Sequence, residues 1–174
     1  MNVQNDFMNK YILALGAVIL LSCQSKQSTS EEKVSDEIIK AIITDETFAY
    51  MEKDYDKWAS YWDHGSDVLR LDVSEEGFSQ TKGWDKNGAH LETFFVEHPE
   101  PITSTFENSN YLIFGDTELA WVAFDQKWTT ESGEESVAKA TVTLIKKENS
   151  WKIISYTAIQ YEVEDETVDT LGRE

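Results

Sequence analysis

The sequence predicts a single α+β domain in the element order ααββαββββ, and three observations carry that expectation. The stretch from Glu118 to Tyr161 divides into three runs, Leu119 to Trp128, Val137 to Lys147 and Ser150 to Tyr161, rich in Trp, Val, Phe, Thr, Ile and Tyr and free of internal Gly and Pro. Such runs suit a pleated, half-buried surface, and the short breaks at Glu131 to Glu134 and Lys147 to Ser150 read as hairpin connections of an antiparallel meander. Upstream, apolar residues recur at helical spacing from Asp36 to about Lys53 and again after Trp84. Between these two helical stretches, Asp67 to Asp72 alternates as a strand.

Ser35-Asp36 is placed to cap the first helix, with Asp36 and Glu37 at the positive end of its dipole. At 100° per residue, Ile38, Ile39, Ile42, Ile43, Ala49 and Tyr50 gather into one arc, and Glu46 falls in the middle of it. Asp54-Tyr55-Asp56 caps a shorter helix through about Trp62, whose Trp58, Tyr61 and Trp62 are large enough to close an apolar space. After the strand at Asp67 to Asp72, Ser74 to Gly77 turns and Phe78 to Thr81 returns. Trp84 to Glu97 is the third helix, with Leu91, Phe94 and Phe95 on one side, and Pro99-Glu100-Pro101 stops it. Ile102 to Phe114 reads as a long strand bulged near Glu107 to Ser109, and Gly115-Asp116 turns into the meander. Within the meander, Trp121, Ala123 and Asp125 share one face while Ala120, Val122, Phe124 and Gln126 share the other. Both faces are largely apolar, so both are expected to be covered, one by the helices and one by a partner subunit.

Ahead of the domain, an apolar run of 11 residues from Tyr11 to Leu21 follows Lys10. It is too short to span a bilayer as a helix and fits an export signal. Leu20-Leu21-Ser22-Cys23 resembles the lipobox of bacterial lipoproteins, which implies lipidation of Cys23 as the mature N-terminus; the alternative is an ordinary signal peptide with a chance cysteine. The sole cysteine excludes an internal disulfide. Because residues 1 to 7 carry Asp6 and no positive charge, Met8 is an alternative start. The expected organisation is a signal peptide over 1–22, the lipidated cysteine and a polar tether over 23–35, the folded domain over 36–163 and an acidic tail over 164–174. Residues 24 to 28 lack an acidic cluster resembling a surface-export signal, so the expected location is the periplasmic face of the outer membrane.

The 33 acidic residues against 15 basic ones give a net charge of −18. Removing residues 1 to 22 takes away one acid and one base, so the mature chain keeps it. That charge opposes nucleic acid and anionic lipid as partners and leaves the lipid anchor as the only expected membrane contact. No Gly-rich phosphate loop, nucleophile elbow or catalytic cysteine is present, and no cofactor is expected. His64, His90 and His98 match no metal-ligand spacing and read as surface residues.

Lys53-Asp54 between two helices, Lys82-Gly83-Trp84 opening the third, and Asn149-Ser150-Trp151-Lys152-Ile153-Ile154 in the last hairpin resemble the nuclear transport factor 2-like superfamily, and within it the SnoaL-like group. The resemblance spans about residues 36 to 161. It implies a cystatin-like cone, a strongly curved antiparallel sheet wrapped around three helices with a mostly apolar pocket inside, and dimerisation through the outer sheet face.

Steroid isomerase-type members place a carboxylate base near the end of the first strand, where Asp72 falls, and two acidic donors at positions that correspond here to Glu46 and Thr143. A Glu donates only if kept protonated, and a threonine hydroxyl is a poor acid, so the catalytic set is incomplete. Asp72 alternatively initiates the following turn, and Glu46 alternatively pairs with Lys53 or caps a backbone group. The expected ligand-facing residues are Trp58, Trp62, Tyr61, Trp84, Phe95, Trp121, Asp125, Thr143 and Tyr156. Three function classes follow. The first is non-catalytic binding of a small apolar or amphipathic molecule. The second is a proton-transfer enzyme of isomerase, cyclase or dehydratase type with Asp72 as base and Glu46 as partner, and the third is a dimerisation or assembly module.

Overall fold

The structure, a computed structural model, describes residues 35–161. The signal peptide, Cys23, the tether up to residue 34 and the acidic tail lie outside the described residues, as do the last two positions of the expected domain.

Three helices and six strands follow in the expected order: α1 (Asp36–Met51), α2 (Tyr55–Ser60), β1 (Leu69–Ser74), β2 (Gly77–Lys82), α3 (Trp84–Glu97), β3 (Thr105–Gly115), β4 (Leu119–Thr129), β5 (Glu135–Lys147) and β6 (Ser150–Tyr161). The strands form one sheet in the order β2-β1-β6-β5-β4-β3. Four of its pairings are antiparallel, but β1 runs parallel to β6, with Arg70 beside Tyr156 and Asp72 beside Ala158. An all-antiparallel sheet was expected, and the difference has a physical reason. The first hairpin precedes α3 in the chain and must return to the free edge of β6, a long-range pairing that local pattern does not encode.

Element ends shift for reasons visible in the backbone. Helix α1 stops at Met51 rather than Lys53, because Lys53 adopts a left-handed φ of 58°. Ser35 caps α1 with no side-chain hydrogen bond, whereas the Asp54 side chain accepts from the Lys57 backbone N–H as expected of an N-cap. Helix α2 ends at Ser60, and Trp62 instead forms a parallel bridge to Ile153. Strand β1 begins two residues late, so Asp67 sits in a turn and Asp72 lies inside the strand, not at its end. The register of β3 breaks between Ser109 and Leu112, where Asn110 takes a φ of 53°, slightly beyond the expected bulge. Gly83, with φ 85°, turns the chain into α3 while its N–H donates to Val68 O at 2.7 Å.

The core lies between the helices and one sheet face. Ile39, Ile43 and Ala49 of α1, Trp58 of α2, Trp62 and Leu91 pack against Ala120, Val122, Phe124, Ala140, Val142, Leu144 and Ile153. Ile38, at the margin of the apolar arc, is exposed. The other sheet face is uncovered in the single chain: Leu112 is 58% exposed, Phe114 61%, Leu119 46% and Trp121 39%. Among the described residues no helix is long and apolar enough to cross a membrane.

Candidate functional site

The parity of β4 decides the site. Ala120, Val122, Phe124 and Gln126 are buried against the helices, and Trp128 follows them on the same face. Toward the wide end of the sheet the core stops and a cavity of about 560 Å³ opens. Helix α1 contributes Glu46, Thr47 and Tyr50 to its lining, α3 contributes His90, Leu91 and Phe94, and the sheet contributes Arg70, Asp72, Gln126, Trp128 and Tyr156. The volume is that of a small-molecule pocket. An open groove of about 1070 Å³ adjoins it, sharing Asp72, Ser79 and Gln160 and edged by Glu75, Glu76, Glu134 and Glu135 from two hairpins.

Glu46 is buried, and its Oε1 accepts the indole N–H of Trp58 at 2.7 Å and of Trp62 at 3.0 Å. Two hydrogen bonds to a charged group contribute about 1.5–3 kcal/mol each, comparable with the several kcal/mol it costs to desolvate one carboxylate. Burial pushes the Glu46 carboxyl above its ordinary value, while the Arg70 charge and the two indole donors pull it back and Asp72 adds to the rise.

Arg70 and Asp72 are two residues apart on β1 and therefore face the same way. Arg70 Nε donates to Asp72 Oδ2 at 2.9 Å and Nη2 donates to Oδ1 at 3.3 Å, with the guanidinium 5.2 Å from the centre of the Tyr156 ring. Burial works against the Arg70 charge, but Asp72, and behind it Glu46 and Tyr156, holds the guanidinium above its ordinary value. Burial, reinforced by Glu46, likewise pushes the Tyr156 hydroxyl up.

Gln126 organises the third wall. Its Oε1 accepts from Trp128 Nε1 at 2.9 Å and from the Tyr156 hydroxyl at 3.4 Å, and its Nε2 donates to Asn108 Oδ1 at 3.1 Å. This fixes the plane of the Trp128 ring, which packs on Phe106.

Of the candidate residues named from the sequence, Glu46, Asp72 and Tyr156 line the cavity together. The others do not. Trp58 and Trp62 are fully buried behind Glu46, so they hold the floor rather than face a ligand. Trp84 stacks between Trp58 and His64, Phe95 lies behind Phe94 against Trp58, and Tyr61 packs at the edge of the core. Trp121 and Thr143 pair across β4 and β5 on the outer face, and Asp125, on that same face, accepts from Asn110 and ion-pairs with Lys139. Odd-numbered positions of β4 point outward, and Thr143 of β5 follows its partner Trp121, which corrects all three placements.

Asp72 sits mid-strand and does not initiate a turn. Glu46 does not pair with Lys53, whose ammonium lies 4.0 Å from the Phe94 ring centre. His90 reaches the cavity lining, where a plain surface position was expected. Arg70, Tyr50, Phe94, Gln126 and Trp128 were missed. For Arg70 a signal existed, since it lies two residues from Asp72 on the same strand. Among the described residues no group of three or more His, Cys, Asp or Glu side chains is placed to hold a metal ion.

Neither a family model nor a curated protein matches the sequence. Solved structures do resemble the fold. A protein of unknown function with a cystatin-like fold from Nostoc punctiforme superposes with a TM-score of 0.60 at 13% identity, covering 75% of this chain and 95% of that one. A nuclear transport factor 2-like protein of unknown function from Pseudomonas putida gives 0.58 at 18% identity over 74% of this chain and 87% of that one. The β subunit of benzoate 1,2-dioxygenase from Burkholderia mallei gives 0.61 at 11% identity over 75% and 93%. The domain therefore has the nuclear transport factor 2-like, cystatin-like fold, as the sequence resemblance implies. At such identities the likeness establishes the fold alone.

The position of Glu46 generates a pH prediction. Its folded-state value lies above the unfolded value of 4.5, so the folded protein binds more protons than the unfolded one between the two, and stability falls as pH rises through that window. Urea denaturation across a pH series is expected to show Glu46→Gln gaining on the wild type as pH rises from about 4.5. A stability difference independent of pH, or one running the other way, contradicts the placement.

Proposed function

We propose that the domain is a non-catalytic binding module for a small amphipathic molecule. The observation that carries this reading is the ion pair between Arg70 and Asp72, in which both carboxylate oxygens accept from the guanidinium at 2.9 and 3.3 Å. A general base must offer a lone pair to the substrate proton within hydrogen-bond reach. Asp72 already gives one lone pair of each oxygen to Arg70, and that forked contact fixes its orientation. Glu46 uses Oε1 to accept two indole N–H groups, and Thr143, at the second donor position, lies on the far side of the sheet. The three groups of an isomerase-type site are thus engaged or misplaced, while a cavity of about 560 Å³ walled by Tyr50, Phe94, Trp128 and Tyr156 remains. Deuterium exchange at the α-carbon of enolisable ketones and lactones is the test. We expect no exchange above buffer for the wild type, together with a small molecule retained in native mass spectra of the purified soluble domain. Exchange that is lost in Asp72→Asn would establish the enzyme reading instead.

The export and assembly readings belong to the same proposal. Leu20-Leu21-Ser22-Cys23 supports lipidation at Cys23 and a periplasmic position on the outer membrane. The uncovered Leu112, Phe114, Leu119 and Trp121, interspersed with Thr141 and Thr143, support a homodimer through the outer sheet face, because one flat apolar patch is complementary to its own two-fold copy. One variant reads out both. Cys23→Ser is expected to lose palmitate labelling and membrane partition, and the released protein to scatter light as a dimer at micromolar concentration. Palmitate uptake by the variant contradicts the anchor, and a monomer mass contradicts the interface.

A further inference from the structure

The charged groups of the cavity set what kind of polar head its ligand carries. Arg70 is the one Lys or Arg among the described residues that line the cavity. A guanidinium has five N–H donors. Two of them go to Asp72, and among the described residues no other protein acceptor takes the remaining three. Arg70 retains 22% side-chain exposure and lines the cavity, and Tyr156 supports it from one face. Donors are therefore on offer, but the positive charge behind them is already cancelled by Asp72. Glu46 lies on the same lining, and Glu75, Glu76, Glu134 and Glu135 edge the adjoining groove.

Three ligand heads can be compared on this arrangement. A carboxylate would hydrogen-bond well to Arg70 but would add a negative charge beside Asp72 and Glu46 and pass an acidic rim on the way in. A like-charge juxtaposition of that kind opposes binding. An ammonium has no lone pair to accept from the guanidinium and would leave its free N–H groups unmet. An uncharged acceptor, such as an amide, ketone or lactone carbonyl, takes the free N–H groups without the like-charge repulsion and places its apolar body against Tyr50, Phe94 and Trp128.

We propose that Asp72 is a specificity-determining residue that masks the charge of Arg70, so that the cavity takes a neutral carbonyl-headed amphiphile and rejects the corresponding carboxylate. This rests on the reading of the domain as a binding module and names its ligand class.

The test uses a matched pair of probes, 2-naphthylacetamide and 2-naphthylacetate, titrated to millimolar concentration against the soluble domain. Binding is read from the Trp128 indole N–H signal in nuclear magnetic resonance spectra, assigned with Trp128→Phe. The wild type is expected to bind the amide at least about tenfold more tightly than the carboxylate, the ratio that a repulsion of about 1.4 kcal/mol produces. Asp72→Asn, which keeps the shape and removes the charge, is expected to shift the preference toward the carboxylate by about tenfold or more, and Asp72→Asn with Glu46→Gln at least as far.

A wild type that prefers the carboxylate overturns the proposal whether or not the variants fold. Binding of both probes with a preference unchanged by Asp72→Asn overturns it as well, and leaves the binding-module reading standing. If neither probe moves the Trp128 signal in any of the proteins, both are overturned.

Discussion

The contact of the Glu46 carboxylate with two indole N–H groups, from Trp58 at 2.7 Å and Trp62 at 3.0 Å, holds this domain in the form that has a cavity. The three residues come from α1, α2 and the segment that bridges to β6, so one oxygen atom ties together the two N-terminal helices and the sheet. Without a buried acceptor at position 46, both indole N–H groups would be stranded in the core, and each unsatisfied donor costs about 1–3 kcal/mol. With it, the two largest side chains of the core are oriented, and the stacking of Trp58 on Trp84 and its edge contact with Phe95 follow.

That constraint propagates into the charge of the pocket. A carboxyl fixed at the floor sets the potential that Arg70 and Tyr156 experience, and Arg70 in turn is held by Asp72. The Gln126 ladder on the next strands adds a third wall in which Trp128, Tyr156 and Asn108 are tied to one amide. Sites built for proton transfer keep a lone pair or a proton uncommitted. Here three N–H donors of Arg70 are open to a ligand acceptor, which is the feature that the proposed binding role uses. The outer face is a separate matter: its alternation with the inner face gives Trp121 and Phe114 to solvent or to a partner, and nothing of it reaches the cavity.

How far the sequence was legible depends on the range of the interaction. The element order, the Asp54 cap and the C-terminal meander are local patterns and read directly from residue spacing. Glu46 stood out as a charge inside an apolar arc, which is a strong sign of a functional or structural partner. Its partners did not, because Trp58 and Trp62 look equally able to line a pocket or to close a core, and only packing against α1 separates the two. The parity of β4 was also legible, since Trp121 and Asp125 were placed opposite Gln126, but which face turns inward depends on the helices that cover it. The parallel pairing of β1 with β6 joins residues more than 80 positions apart. It brings Arg70 over Tyr156, and no pattern within either strand announces it. Thus the site residues that sequence reading found are those with an unusual chemistry for their surroundings, and those it missed acquire their role from neighbours across the sheet.

The most direct test of this account follows the six tryptophan indole N–H signals by nuclear magnetic resonance while pH is varied. If one Glu46 oxygen holds both indoles, the Trp58 and Trp62 signals titrate together with a single midpoint above the ordinary glutamate value of 4.5, and Glu46→Gln removes both titrations. Signals from Trp58 and Trp62 that titrate apart, titrate at the ordinary value, or do not respond to pH at all would contradict it.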